Sequence, residues 1–163
     1  MVVDLAERLG QIRVRVRAPG TEIEAELRGR TGISLSFEES VYEFIDESAL
    51  ERALASIARL LWAGWRRQYL SAIDETSLSI DANDFRDSNF IADRARIEAI
   101  GTSSDERIVI TTVGMENFAV HIEPGTVREV PEDQFATKAS AAATKLIQDF
   151  QAKVSELKKR YYE

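Results

Sequence analysis

Apolar and polar residues alternate from Gln11 to Arg17, with Ile12, Val14 and Val16 on one side and Arg13, Arg15 and Arg17 on the other. A period of two over this length predicts a half-buried strand. Ala18-Pro19-Gly20 supplies a turn, and the alternation resumes from Glu22 to Arg28 with Ile23, Ala25 and Leu27 inward and Glu22, Glu24 and Glu26 outward. Paired antiparallel, the two strands set three arginines against three glutamates on the solvent face, at about 0.2–1 kcal/mol per cross-strand pair. Gly29-Arg30-Thr31-Gly32 predicts a second hairpin connection, and Ile33 to Phe37 a third strand. At Glu47-Ser48 the period changes to that of a helix, which runs to about Ile73 and spans roughly 40 Å. Its stripe is Leu50, Leu54, Ile57, Leu61, Trp65 and Tyr69, widened by Leu60, Trp62 and Leu70. That width exceeds what covering one sheet requires, so a second buried contact is expected, either with a matching helix or with another part of the chain.

The same succession returns further along. Arg107 to Val113 reads as a strand, Gly114 to Asn117 as a tight turn, and Phe118 to Ile122 as the next strand. Glu123-Pro124-Gly125 ends that strand, because proline has no ladder donor and glycine bends freely. Val130-Pro131-Glu132-Asp133 opens a long amphipathic helix, where proline suits the first turn and acids complement the dipole. A shift of 85 residues lays 12–72 over 97–157 without a gap. Only seven positions are identical, among them Ile12/Ile97, Ile23/Ile108, Gly29/Gly114 and Leu61/Leu146. The apolar register is more telling. Ile33, Leu35 and Phe37 fall on Phe118, Val120 and Ile122, and the six stripe positions fall on Phe135, Ala139, Ala142, Leu146, Phe150 and Val154. The pattern predicts an α+β fold built from two tandem β-β-β-α repeats, each an antiparallel three-stranded meander with a long amphipathic helix. The first repeat covers 1–74 and the second 96–163, with 75–95 as linker; Asp74 to Asn89 reads as a polar, docked hinge. Asp4 to Leu9 is long enough for one or two helical turns.

Composition narrows the picture. A chain of 163 residues with 44% hydrophobic and 30% charged residues is ordinary for a globular protein with one core or two small ones. With no cysteine there is no disulfide scaffold and no thiol chemistry. No basic start followed by an apolar run and no long apolar segment occur, so neither a signal peptide nor a membrane span is expected, and a cytoplasmic location is the default. The net charge of −7 is shared: residues 1–81 carry 10 basic and 14 acidic side chains, residues 82–163 carry 11 and 14. Neither half is a basic module, and bulk electrostatics oppose nucleic-acid binding.

The search for chemistry is short. His121 is the single histidine, one step off the apolar register, with no flanking carboxylate pair. No phosphate-binding glycine loop and no nucleophile elbow occurs. Asp81-Ala82-Asn83-Asp84-Phe85 begins like a calcium loop, but Phe85 spoils the next ligand position and the required glycine is missing. No catalytic residue, metal or cofactor is expected. The basic residues that stand out are Arg66 and Arg67, beside Trp62, Trp65 and Tyr69, and Lys153, Lys158, Lys159 and Arg160, beside Tyr161 and Tyr162. Read functionally, they mark matching helix ends of two arms that grip a nucleic-acid backbone or another anionic partner. Read structurally, they complement helix dipoles next to core aromatics.

The second repeat resembles the YbaB/EbfC family of small bacterial nucleoid-associated proteins. The residues concerned are Ile97-Glu98-Ala99-Ile100-Gly101-Thr102, the strand Ile108-Val109-Ile110-Thr111, the Gly114 turn, Phe118 to Gly125, the opening Pro131-Glu132-Asp133 and the Ala-rich helix from Phe135. The likeness covers 96–157, and more weakly 12–72. It implies a three-stranded sheet with flanking helices, self-association as a homodimer, DNA binding with little sequence preference and no enzymatic activity. Here the two fused copies would form an internal pseudo-dimer. Similar folds occur among proteins associated with type VII secretion, which implies, as the alternative, an acidic adaptor or chaperone-like protein that binds another protein. The long helix that precedes the first strand in the family is matched only by Asp4 to Leu9 and the hinge.

Overall fold

The computed structural model describes residues 5–76 and 85–162. Helix α1 (Leu5–Gly10) leads into β1 (Arg13–Arg17), β2 (Ile23–Arg28) and β3 (Gly32–Phe37), an antiparallel sheet in the order β1-β2-β3. One-turn α2 (Val41–Phe44) then delivers the chain to the long helix α3 (Glu47–Thr76). The second half repeats the plan with α4 (Phe85–Arg94), β4 (Glu98–Thr102), β5 (Ile108–Val113), β6 (Asn117–Ile122), α5 (Thr126–Glu129) and α6 (Glu132–Tyr162), its sheet ordered β4-β5-β6.

The 85-residue displacement holds at both ends of every strand and at the start of α2/α5 and α3/α6. It also holds for backbone hydrogen bonds. The Gly29 N–H donates to Ile12 O and the Gly114 N–H to Ile97 O, both at 2.7 Å, and Glu38 and Glu123 donate to Glu22 and Arg107 at 3.1 and 2.8 Å. Gly29 and Gly114 lie in the left-handed region at φ 64° and 63°, which a side chain would strain. Two tandem units of the same topology are the architecture of the chain.

Two features were not foreseen. The interval 75–95, read as linker and hinge, holds the end of α3 and all of α4. Phe90 of α4 is fully buried, with the Tyr161 and Tyr162 rings edge-on to it at 6.1 and 5.6 Å, while the Tyr161 hydroxyl donates to Asp93. Both α1 and α4 precede the first strand of a sheet, so each unit is a helix, a meander, a one-turn helix and a long helix. Leu78, Ile80 and Asp81 to Asp84 of the calcium-like stretch lie outside the described residues.

Helix α3 covers its own β1 and β2 and also β6 of the other unit; α6 covers β4 and β5 and also β3. This exchange explains the wide apolar stripe, whose second buried contact is the third strand of the other repeat. Phe37, Tyr42 and Phe135 pack together across the join, with centroids 5.2–6.2 Å apart, and the Tyr42 hydroxyl donates to Val130 O. The Glu47 and Glu51 carboxylates accept from the N–H groups of Gly125 at 2.8 Å and Ile122 at 2.7 Å. An apolar cavity of about 80 Å³ between the units is lined at matched positions, such as Ala25/Ile110, Ile33/Phe118, Leu61/Leu146 and Trp62/Ile147. Lining by both copies puts the cavity on an approximate dyad, the axis of an internal pseudo-dimer.

The copies differ at one strand edge. Lys145 Nζ donates to Thr102 O at 3.2 Å, Ile100 N–H to Asp149 Oδ2 at 3.0 Å, and Lys153 Nζ to Glu98 O at 2.7 Å. Three side chains at four-residue spacing on α6 thus close the free edge of β4. On β1 the Gln68 amide donates to Arg13 O at 2.9 Å, and Leu60 and Gly64 occupy the positions matching Lys145 and Asp149.

Candidate cationic surface

Helix α3 contains no acidic residue from Arg52 to Ile73. Arg52, Arg59 and Arg66 recur every seven residues, which returns each to nearly the same face about 10 Å further along the axis. All three are exposed, as is adjoining Arg67. Arg52 donates to Ser48 Oγ at 3.2 Å, whereas Arg59, Arg66 and Arg67 have no ion pair among the described residues. Arg94 of α4 adds a further cation. Burial lowers its pKa first and the neighbouring Arg66 charge second, with Tyr69 and Glu116 acting in the opposite sense.

The aromatic residues beside this stripe are a continuous stack. Trp62 and Trp65 lie 5.2 Å apart at 15°, and Trp65 and Tyr69 4.9 Å apart at 16°. Trp65 Nε1 donates to Gly29 O at 2.9 Å, and Trp62 meets Phe150 of α6 edge-on at 6.2 Å. The ladder packs α3 against the β2–β3 turn and the other unit, so the structural reading of these rings holds.

Lys158, Lys159 and Arg160 are exposed at the end of α6. Lys153 differs from them: its ammonium is held by Glu98 O and by Asp149 at 3.0 Å, where it closes the edge of β4. Nor are the two basic groups matched helix ends. Helix α3 continues past Arg66 to Thr76, so at the 85-residue shift Arg66 and Arg67 fall on Gln151 and Ala152, and Lys158 to Arg160 on Ile73 to Glu75. The apolar stripe itself runs past Arg67 through Tyr69 to about Ile73, so the same period that defines the helix places Arg66 and Arg67 inside it and not at its end. Arg52, Arg59 and Arg94 were missed in sequence; the absence of any acid over Arg52 to Ile73 was the signal that could have found the first two.

Elsewhere several charged groups pair locally, as Arg17 with Glu24 and Glu38, Arg107 with Glu129 and Lys138 with Asp105. His121 is exposed, and its Nδ1 lies 3.6 Å from Glu51 Oε2, the oxygen that accepts the Ile122 N–H. Among the described residues, no group of three or more metal-ligating side chains could hold an ion, and no helix is long and apolar enough to cross a membrane. Comparison with protein-family models, with curated proteins and with solved structures finds no match to this chain.

Proposed function

We propose that this chain is a non-enzymatic binding protein of YbaB/EbfC character that contacts the DNA backbone with little sequence preference. Arg52, Arg59, Arg66 and Arg67 supply the main contact, and Lys158, Lys159 and Arg160 a second cationic point. The observation that carries this reading is the acid-free run of α3 with Arg52, Arg59 and Arg66 exposed along about 21 Å of its outer face, within a chain of net charge −7. Exposed guanidinium groups with no ion pair among the described residues suit phosphate oxygens, and the rest of the surface weakens the complex by repulsion. Anisotropy titration of a labelled duplex between about 50 and 200 mM salt tests it. Neutralising about four phosphates gives a log–log slope near −3.6, and R59E/R66E flattens it to about half. No binding at the lowest salt sinks the proposal. A second reading, the acidic adaptor that binds another protein, is favoured by a separate feature: the outer face of the second sheet is almost free of charge.

A further inference from the structure

The outward faces of the two sheets occupy matched positions and carry opposite chemistry. In the first sheet the middle row is Arg15–Glu26–Ser34; its counterpart in the second is Ile100–Thr111–Ala119. Arg17–Glu24 becomes Thr102–Val109, and Arg13–Arg28 becomes Glu98–Val113. The first face is closed by its own ion pairs. The second keeps one carboxylate, Glu98, and one imidazole, His121, at diagonally opposite corners of the sheet. Between them lie side chains that water solvates poorly: Ile100 is 51% and Val113 40% exposed.

We propose that this face packs on the same face of a second copy of the chain, with the strands of the two sheets crossing near a right angle. The pairing register selects this arrangement. A twofold axis along the diagonal through Thr102, Thr111 and Asn117 sets Glu98 over His121 of the second copy, Ile100 over Val109 and Val113 over Ala119. Acid then meets imidazole, apolar meets apolar, and the Thr111 hydroxyls meet at the axis. Rotation about the other diagonal would stack Glu98 on itself. The mismatch between strand spacing and the two-residue repeat along a strand is about 2 Å, within what side chains absorb. Near-orthogonal crossing is one of the two regular ways in which sheets pack. Edge-to-edge association through β4 is obstructed, because Lys145, Asp149 and Lys153 engage the outward-facing Thr102 O, Ile100 N–H and Glu98 O.

The face measures about 300 Å² from the strand dimensions. Two such faces bury about 600 Å², roughly a third to a half of what a stable specific interface buries, so the dimer is weak and concentration-dependent. Sedimentation equilibrium from about 10 µM to about 1 mM therefore shows the mean mass rising from 18.3 kDa toward twice that value. The I100R/T111E variant copies the Arg15–Glu26 pair of the first sheet, so it keeps a favourable cross-strand contact and the parent melting temperature, yet stays monomeric. Glu98→Lys weakens the dimer about tenfold, and adding His121→Glu restores it. A mass fixed at 18.3 kDa throughout, or a dimer untouched by I100R/T111E, overturns the proposal. Failure of E98K/H121E to recover the dimer overturns the crossed arrangement.

Discussion

Glu26 lies on the outer face of the first sheet yet is only 7% exposed, because three guanidinium groups close over its carboxylate. Arg13 Nε lies at 2.7 Å and Arg15 at 3.0 Å, and Arg28 also donates to it. The hydrogen bond from Arg28, then that from Arg15, outweigh burial and hold its pKa down to about 2 from the usual 4.5. A depressed native pKa stabilises the fold above the unfolded value and ceases to do so as pH falls through the native one. The urea midpoint of the parent therefore drops between pH 4.5 and 2 by more than that of Glu26→Gln. At pH 7 the variant is already the less stable, since three cations have lost their shared counter-charge. Asp149, held low by the Ile100 N–H and then by Lys153, and Asp105, held low by Lys138, titrate in both proteins, so the difference isolates Glu26. Equal acid sensitivity would show that the cluster contributes nothing. Alternation placed Glu26 outward correctly; its burial follows from pairing Arg15 with Glu26 and Arg13 with Arg28, a register that one strand does not reveal.

At the level of elements, the two long helices meet their sheets differently. Helix α6 is Ala-rich, with Ala139 and Ala142 buried, and lies so close to β4 that a Cβ on Gly101 would stand 1.9 Å from Ala142 O. Helix α3 carries the small residue on its own side: a Cβ on Gly64 would meet Val14 at 2.6 Å. Gly101→Ala must push the α6 backbone away, and it lowers stability by about 1–3 kcal/mol in chemical denaturation. Gly10→Ala, with nothing within 4 Å, is the control, neutral or better by up to about 1 kcal/mol. A Gly101→Ala variant as stable as the parent would mean that α6 can move without cost. Strands and long helices were legible because the alternation from Ile12 to Val16 and the stripe from Leu50 to Tyr69 are unbroken. Helix α4 was not, because Phe90 is the one buried apolar side chain among the described residues of that polar segment, too little to establish a period. Of the cationic stripe only Arg66, with adjoining Arg67, is legible in the sequence, as one of two basic helix ends, for a related reason: Arg52 and Arg59 carry no local motif and gain meaning only from the absence of acids between Arg52 and Ile73.

Across the whole molecule, the two long helices bring large residues of one copy and small residues of the other to the same central cavity. Leu54 and Ile57 of α3 line the central cavity with Ala139 and Ala143 of α6. Two copies of the first unit would bring Leu54 and Ile57 against their own kind and overpack the axis. Two copies of the second would set Ala139 and Ala142 together and leave a void. Either error costs about 1–5 kcal/mol per affected site. The join also needs groups from each side: Tyr42 donates to Val130 O, and Glu47 and Glu51 receive Gly125 and Ile122 N–H groups. Separated into residues 1–80 and 81–163, each unit alone leaves its third strand and the far side of its long helix bare, and is expected to be poorly packed. Mixed, the two fragments form a one-to-one complex of 18.3 kDa in preference to either homodimer, read by light scattering and by fluorescence of Trp62, which meets Phe150 across the join. A first fragment that folds alone as a cooperative monomer would mean that the exchange of helices between sheets is incidental to stability. Homodimers as abundant as the mixed complex would mean that the pairing of large with small side chains about the axis does not select the partner.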